Sequence, residues 1–238
     1  MVNVCSLKEN KMESFMKKGF TLAEVLITLG IIGVVAALTI PALIGNYKRK
    51  QIVTQLKKVY SSMQQSIQFS QAEYGDIRDW DWSQDGVQFF TQYFGKNFNV
   101  VKNCGIEQGC WNSTGILTLS GNEYIPNPLK SSGWSSLILS DGVYISLLKQ
   151  DNIHVHFMID LNGSKKPDMF GKDIFEMTFT AEAFSDGMHI ITKPGLYFYG
   201  FGLPRNSLLD NCKKNKSGQY CGALIQYDGW EMRKYYPW

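Results

Sequence analysis

Between Val25 and Ile44 the chain runs for twenty residues without a charge, and the next charge is Lys48. At about 1.5 Å per residue such a run makes a helix about 30 Å long, the thickness of a bilayer's hydrocarbon core. A membrane span over about residues 22–44 is the reading this imposes. Ahead of it stands Lys17-Lys18-Gly19-Phe20-Thr21-Leu22-Ala23-Glu24. A secretory signal peptide places its small residues after a shorter apolar region, whereas here the polar break precedes the run. Cleavage at Lys-Lys-Gly therefore leaves the apolar helix on the mature protein. An uncleaved signal-anchor would fit the length but gives no reason for Glu24 inside the apolar segment.

A charge in the bilayer costs about 2.5–3.5 kcal/mol even on insertion scales, so an acid there has a partner or a function. Cutting after Gly19 makes Phe20 the new N-terminus, with its α-amine one helical turn from Glu24 of its own chain or of a neighbour. This Gly-Phe-Thr-Leu-x-Glu arrangement resembles the type III signal of type IV pilins and type II secretion pseudopilins. The resemblance implies that a prepilin peptidase cuts after Gly19 and methylates Phe20, and that Glu24 guides assembly by pairing with an adjacent subunit's amine. It extends to Pro41, where many members of that family carry a helix-kinking proline. The missing donor and the ring clash predict a bend or local melting from Ala37 to Pro41. Gly30 and Gly33 weaken the helix further and let helices approach closely in a filament core. The leader, residues 1–19, is long for the family, and Met12 and Met16 are alternative starts.

Lys17 and Lys18, with Lys8 and Lys11 upstream, hold the N-terminus in the cytoplasm by the positive-inside tendency, so everything after about Tyr47 lies outside. The expected location is a single-pass inner (cytoplasmic) membrane protein with a periplasmic or extracellular head. Cysteine usage agrees. Cys5 stands alone in the leader, while the exported part keeps Cys104, Cys110, Cys212 and Cys221. Four cysteines in an oxidising compartment read as two disulfides with three possible connectivities, of which the local pairs Cys104–Cys110 and Cys212–Cys221 are favoured over four reduced thiols. The leader holds four lysines and two glutamates, so its removal takes the net charge from +3 to +1. That is no electrostatic footprint for nucleic acid.

Beyond the span the helix continues, because Ile52, Leu56, Val59, Met63 and Ile67 recur at helical spacing and form one buried stripe. Lys48, Arg49, Lys50, Lys57 and Lys58 cover the other faces, as a solvated surface or against membrane lipid headgroups. Gly75 and Asp76 stop the helix, which defines a segment 20–75 and a head over 76–238. In the head, Gln84 to Phe94 reads as a short helix presenting Val87, Phe90 and Phe94. Ser136–Leu139 and Val143–Leu148 read as strands joined by the hairpin signal Asp141-Gly142. Ile153–Asp160 alternates as a third strand, and His189–Ile191 and Leu196–Phe201 flank a Lys193-Pro194-Gly195 turn. The fold class is α+β, a long N-terminal helix packed on a mainly antiparallel sheet, which is also the pilin-like plan the resemblance implies.

Asp160, Asn162, Ser164, Asp168 and Asp173 place oxygen-bearing side chains around Gly163 and can wrap a hard cation such as calcium. The glycine stands fourth rather than sixth, and Gly171 replaces the terminal glutamate of an EF-hand. Some pseudopilins bind calcium in a head loop; the plain alternative is an Asx turn, and Lys165 and Lys166 disfavour a cation. His154 and His156 face one way on a strand, but a zinc site needs further ligands and only His189 and the cysteines remain, so exposed strand histidines are the ordinary explanation. No nucleophile–base constellation marks an enzyme. Trp230, Tyr235, Tyr236 and Trp238, with Tyr227, dock the tail, and the lysine-rich stretch between Cys212 and Cys221 forms an exposed loop.

The expectation is a structural subunit of a type IV pilus or a type II secretion pseudopilus. Its partners, implied by the resemblance, are a prepilin peptidase, other pilin or pseudopilin subunits, and an inner-membrane assembly platform and ATPase. The alternative is a monomeric membrane-anchored surface binding protein, for DNA or glycans, that uses the same export signal.

Overall fold

The computed structural model describes residues 19–106, 110–111, 115–124, 133–149 and 151–237; the readings made for residues 1–18 and for Trp238 fall outside these. Helix α1 spans Leu22–Tyr74. Its residues divide between two compact units, with the boundary at Ile44 and Gly45.

In the first unit the helix is apolar and uncovered. Leu26, Leu29, Ile32 and Leu38 are each at least 60% exposed, and an 18-residue window reaches a mean hydropathy of 2.4 with none of it buried. Water penalises such a surface and a bilayer does not. The hydroxyls of Thr28 and Thr39 donate to the carbonyls of Val25 and Val35 at 3.0 and 2.9 Å, which satisfies them without solvent. Helical backbone continues through Pro41 and on to Tyr74, so the proline does not melt its turn as expected.

The second unit is built on six antiparallel strands: β1 (Val100–Gly105), β2 (Trp134–Leu139), β3 (Tyr144–Lys149), β4 (His154–Asp160), β5 (Ile174–Thr180) and, after a two-stranded ribbon of β6 (Phe184–Ser185) and β7 (Ile190–Ile191), β8 (Gly195–Phe198). The order across the sheet is β1-β2-β3-β4-β5-β8. Gly142 takes φ +84° in the β2–β3 turn, a conformation that suits glycine, and the turn closes with Gly142 N–H donating to Leu139 O at 3.0 Å. β7 and β8 flank the Lys193-Pro194-Gly195 turn but belong to different sheets, because β7 pairs with β6 and β8 with β5.

Strand alternation gives the sheet two buried faces with different chemistry. Ile145, Leu147, Val155, Phe157, Phe175, Met177 and Phe179 join Leu56, Val59, Met63 and Ile67 of α1 in the main core. Helix α2 (Gly86–Tyr93), capped by the Asp85 side chain, adds Phe89 and Phe90 and leaves Val87 half-buried. Ser66 and Ser70 of α1 donate to the carbonyls of Phe94 and Tyr93 at 3.1 and 2.7 Å, so these buried hydroxyls tie the two helices. The opposite face carries Trp134, Ser146, His156, Met158, Glu176 and Thr178. A second cluster of Cys110, Trp111, Ile116, Phe170 and Ile174 covers part of it.

Cys104–Cys110 and Cys212–Cys221 are disulfides. The second joins two short helices, α3 (Arg205–Asn211) and α4 (Cys221–Tyr227). Lys213 to Lys216 are exposed as expected, but Gly218 is buried and Gln219 and Tyr220 turn inward. The lysines do not stand free: Lys213 and Lys216 both pair with Asp210. Trp230 packs on Tyr60 and Phe198, and Tyr236 is buried, so the tail is docked by these two rings while Tyr227 stays exposed.

Candidate functional site

Three places bear on function, and the first is the start of α1. Gly19 and Phe20 precede the helix, with Phe20 fully open. Thr21 caps the helix: its N–H and its hydroxyl both donate to Glu24 Oε2 at 2.8 Å, and Glu24 N–H donates to Thr21 Oγ1 at 3.3 Å. This reciprocal box satisfies amide donors that a membrane would otherwise leave bare. Sequence reasoning assigned Glu24 to pairing with an amine; the local cap to Thr21 was legible in the Thr-x-x-Glu spacing but was not read there.

The second is the loop after β4. Asp160 Oδ1 accepts from the N–H groups of Asn162 and Gly163 at 2.9 and 3.0 Å, an Asx turn. Asp173 accepts from Asn162 Nδ2 at 2.7 Å, Asp168 N at 3.0 Å and Met169 N at 2.6 Å. Burial pushes Asp160 up to about 8 and Asp173 up to about 6. Asp168 is buried at φ +50°, and Ser164 is exposed. Asn162 Oδ1 is a side-chain oxygen of this loop that is buried without a partner. Among the described residues no three His, Cys, Asp or Glu side chains are grouped to hold a metal.

The third lies on the sheet face turned away from α1, and sequence reasoning did not assemble it. A cavity of about 410 Å³ is walled by Tyr124, Trp134, Phe184 and Tyr199, with Asp151, His154, His156, Glu176 and Asp186 among its polar groups. His154 and His156 are not exposed as expected; each side chain is only 16% accessible. Two Asp-x-x-His units build the rim. Asp151 accepts from the N–H groups of Ile153 and His154 and meets His154 Nδ1 at 2.8 Å. Asp186 does the same with Met188, His189 and His189 Nδ1, the last at 3.2 Å. Each carboxylate thereby orients its imidazole, with Nδ1 turned to the carboxylate and Nε2 facing away from it.

Thr178 Oγ1 lies 3.4 Å from His156 Nδ1 and 3.3 Å from His189 Nε2, so all three histidines of the chain meet around β4, β5 and the ribbon. Glu176 comes 3.8 Å from His156 Nδ1 and accepts from Gln219 Nε2 at 2.9 Å. Burial pushes Glu176 up to about 7 and His156 down to about 4, and lowers His189. Burial thus disfavours the charged forms of His156 and His189, and no lysine or arginine stands among the cavity's described walls.

Comparison with known proteins bears on the first of these places and on the domain that carries the other two. Residues 15–40 match the prokaryotic N-terminal methylation motif. Residues 42–238 match a family of unknown function, DUF6613. Prepilin peptidase-dependent protein D of Escherichia coli (strain K12) is 26% identical over 120 residues, which cover 50% of this chain and 75% of that protein. No solved structure matches the chain.

Proposed function

The chain belongs to the family of unknown function DUF6613 and is a pilin- or pseudopilin-type protein by its N-terminal methylation motif, and we propose that it is a structural filament subunit, cut after Gly19 and polymerised through α1. The observation that carries this reading is the uncovered apolar half of α1 directly behind a prepilin-type start. A monomer leaves that surface to lipid alone, whereas a filament packs it against neighbouring helices, for which Gly30 and Gly33 leave open space. The Escherichia coli relative is named for dependence on prepilin peptidase, and by this reading the same class of enzyme releases Phe20 here. An assembly platform and an ATPase in the inner membrane supply the work of extension, and other pilin or pseudopilin subunits supply the lattice.

Before assembly the chain spans the inner membrane once, with residues 1–19 cytoplasmic and the domain from about residue 76 outside. Glu24 guides insertion: on processing, the Phe20 amine of a neighbour competes with Thr21 for its carboxylate. The test is N-terminal peptide mass spectrometry on sheared filaments and on membranes, from wild type and from Glu24→Ala. N-methyl-Phe20 in wild-type filaments, with Glu24→Ala processed but confined to membranes, is the expected pattern. An unprocessed chain found only in membranes would sink the reading.

A further inference from the structure

The cavity on the sheet face turned away from α1 has no role in the function proposed above, and we propose that it binds an uncharged sugar ring. Three properties of its walls select that chemistry. Asp151 and Asp186, both held below the usual carboxylate range, line it without a lysine or arginine among the described residues, so phosphates, sulfates and carboxylates are repelled. Trp134, Phe184 and Tyr199 put aromatic side chains in its wall, the kind against which the C–H face of a pyranose packs. Two polar atoms of the wall have no hydrogen-bond partner among the described residues: the indole N–H of Trp134, a residue only 4% exposed, and Nε2 of His154.

Those two orphans make opposite demands. Trp134 Nε1 can only donate, while His154, whose Nδ1 is turned to Asp151, presents Nε2 as an acceptor in its neutral tautomer. An ammonium group supplies donors alone and an anion acceptors alone. A hydroxyl supplies both, and a ring with several hydroxyls reaches these atoms and the Glu176 carboxylate together. Both atoms are buried in this structure, so the proposal requires side-chain rotations that bring them to the ligand. The volume, about 410 Å³, accommodates one or two pyranose units.

The site lies wholly within one subunit, so its failure would leave the assembly reading untouched. The test uses the full chain in lipid nanodiscs, free of glycoside detergents, with glucose, galactose, mannose and N-acetylglucosamine as probes in saturation-transfer NMR. At least one probe is expected to bind saturably with Kd on the order of 1 mM. Trp134→Phe, which keeps a ring but loses the N–H, and Glu176→Gln are each expected to weaken it about tenfold, with thermal melts verifying that both variants fold. Methyl glycosides binding as well as the free sugar identify a unit within a glycan; loss of binding on methylation identifies a free reducing sugar. No saturable signal from any of the four sugars overturns the proposal. So does binding undiminished in both variants, or tetramethylammonium binding in place of sugar.

Discussion

Glu176 is buried because β5 alternates strictly: Phe175, Met177 and Phe179 enter the main core, which sends Glu176 and Thr178 to the other face beneath Gln219. Desolvation raises its pKa from 4.5 to about 7. A carboxyl with a raised folded-state pKa contributes stability that is complete below about 4.5 and is lost as pH rises through about 7, a difference worth roughly 3 kcal/mol. Asp160 and Asp173 follow the same sign. His156 runs the other way: its pKa falls from 6.5 to about 4, so its contribution holds above 6.5 and is lost as pH falls through about 4. Glu176→Gln is therefore expected to leave the domain more stable at pH 8 and to flatten the fall in stability between pH 5 and pH 8, read by urea unfolding at both values. Parallel pH profiles for variant and wild type would refute it. Little of this was legible in the sequence. His154 and His156 declare a shared face by their spacing, but His189 reaches them through the β6–β7 ribbon, and Gln219 covers Glu176 from the segment between the second pair of cysteines.

Helix α1 reads as one element, yet its two halves obey different solvents. The stripe Leu56, Val59, Met63 and Ile67 is buried against the sheet, with Met63 at 0% exposure, whereas Leu29 is 60% exposed. Met63→Ala is expected to cost about 2–5 kcal/mol of domain stability because the close-packed site cannot refill the lost volume. Leu29→Ala should change the domain's stability, read by urea unfolding, by less than about 0.5 kcal/mol. Equal responses would mean that the two halves share one core. The 3.6-residue period that separates buried from basic positions was readable, as was the Asp141-Gly142 hairpin, since both are local signals. β5 is harder to read, although Ile174 to Thr180 alternates, because Ile174-Phe175 puts two apolar residues side by side and no turn signal of the hairpin kind joins it to β4. α3 and α4 were missed for a physical reason: seven residues each are too few to show a period, and their stability comes from packing rather than propensity. A disulfide ties the segment between them.

At the scale of the whole molecule, the division at Ile44 and Gly45 separates an apolar helix from a domain whose packed core begins no earlier than Ile52. The domain draws its stability from its own sheet, from the aliphatic stripe of α1 after Gly45 and the aromatic helix α2 packed on it, and from bonds that all lie after Gly45. Lys58 pairs with Asp141 at 2.8 Å, Gln64 reaches Leu196 O at 3.2 Å, and Arg205 holds Asp228 through two bonds, at 2.9 and 3.2 Å. None of these groups requires the membrane segment. A chain beginning at Gly45 and exported to an oxidising compartment is therefore expected to be soluble, to hold both disulfides, and to melt within about 4 °C of the full-length protein. Circular dichroism and thiol titration check both points. Aggregation, free thiols or a much lower melting point would show that residues before Gly45 belong to the fold. A well-folded fragment absent from sheared filaments would place stability in the domain and polymerisation in the segment that Glu24 opens.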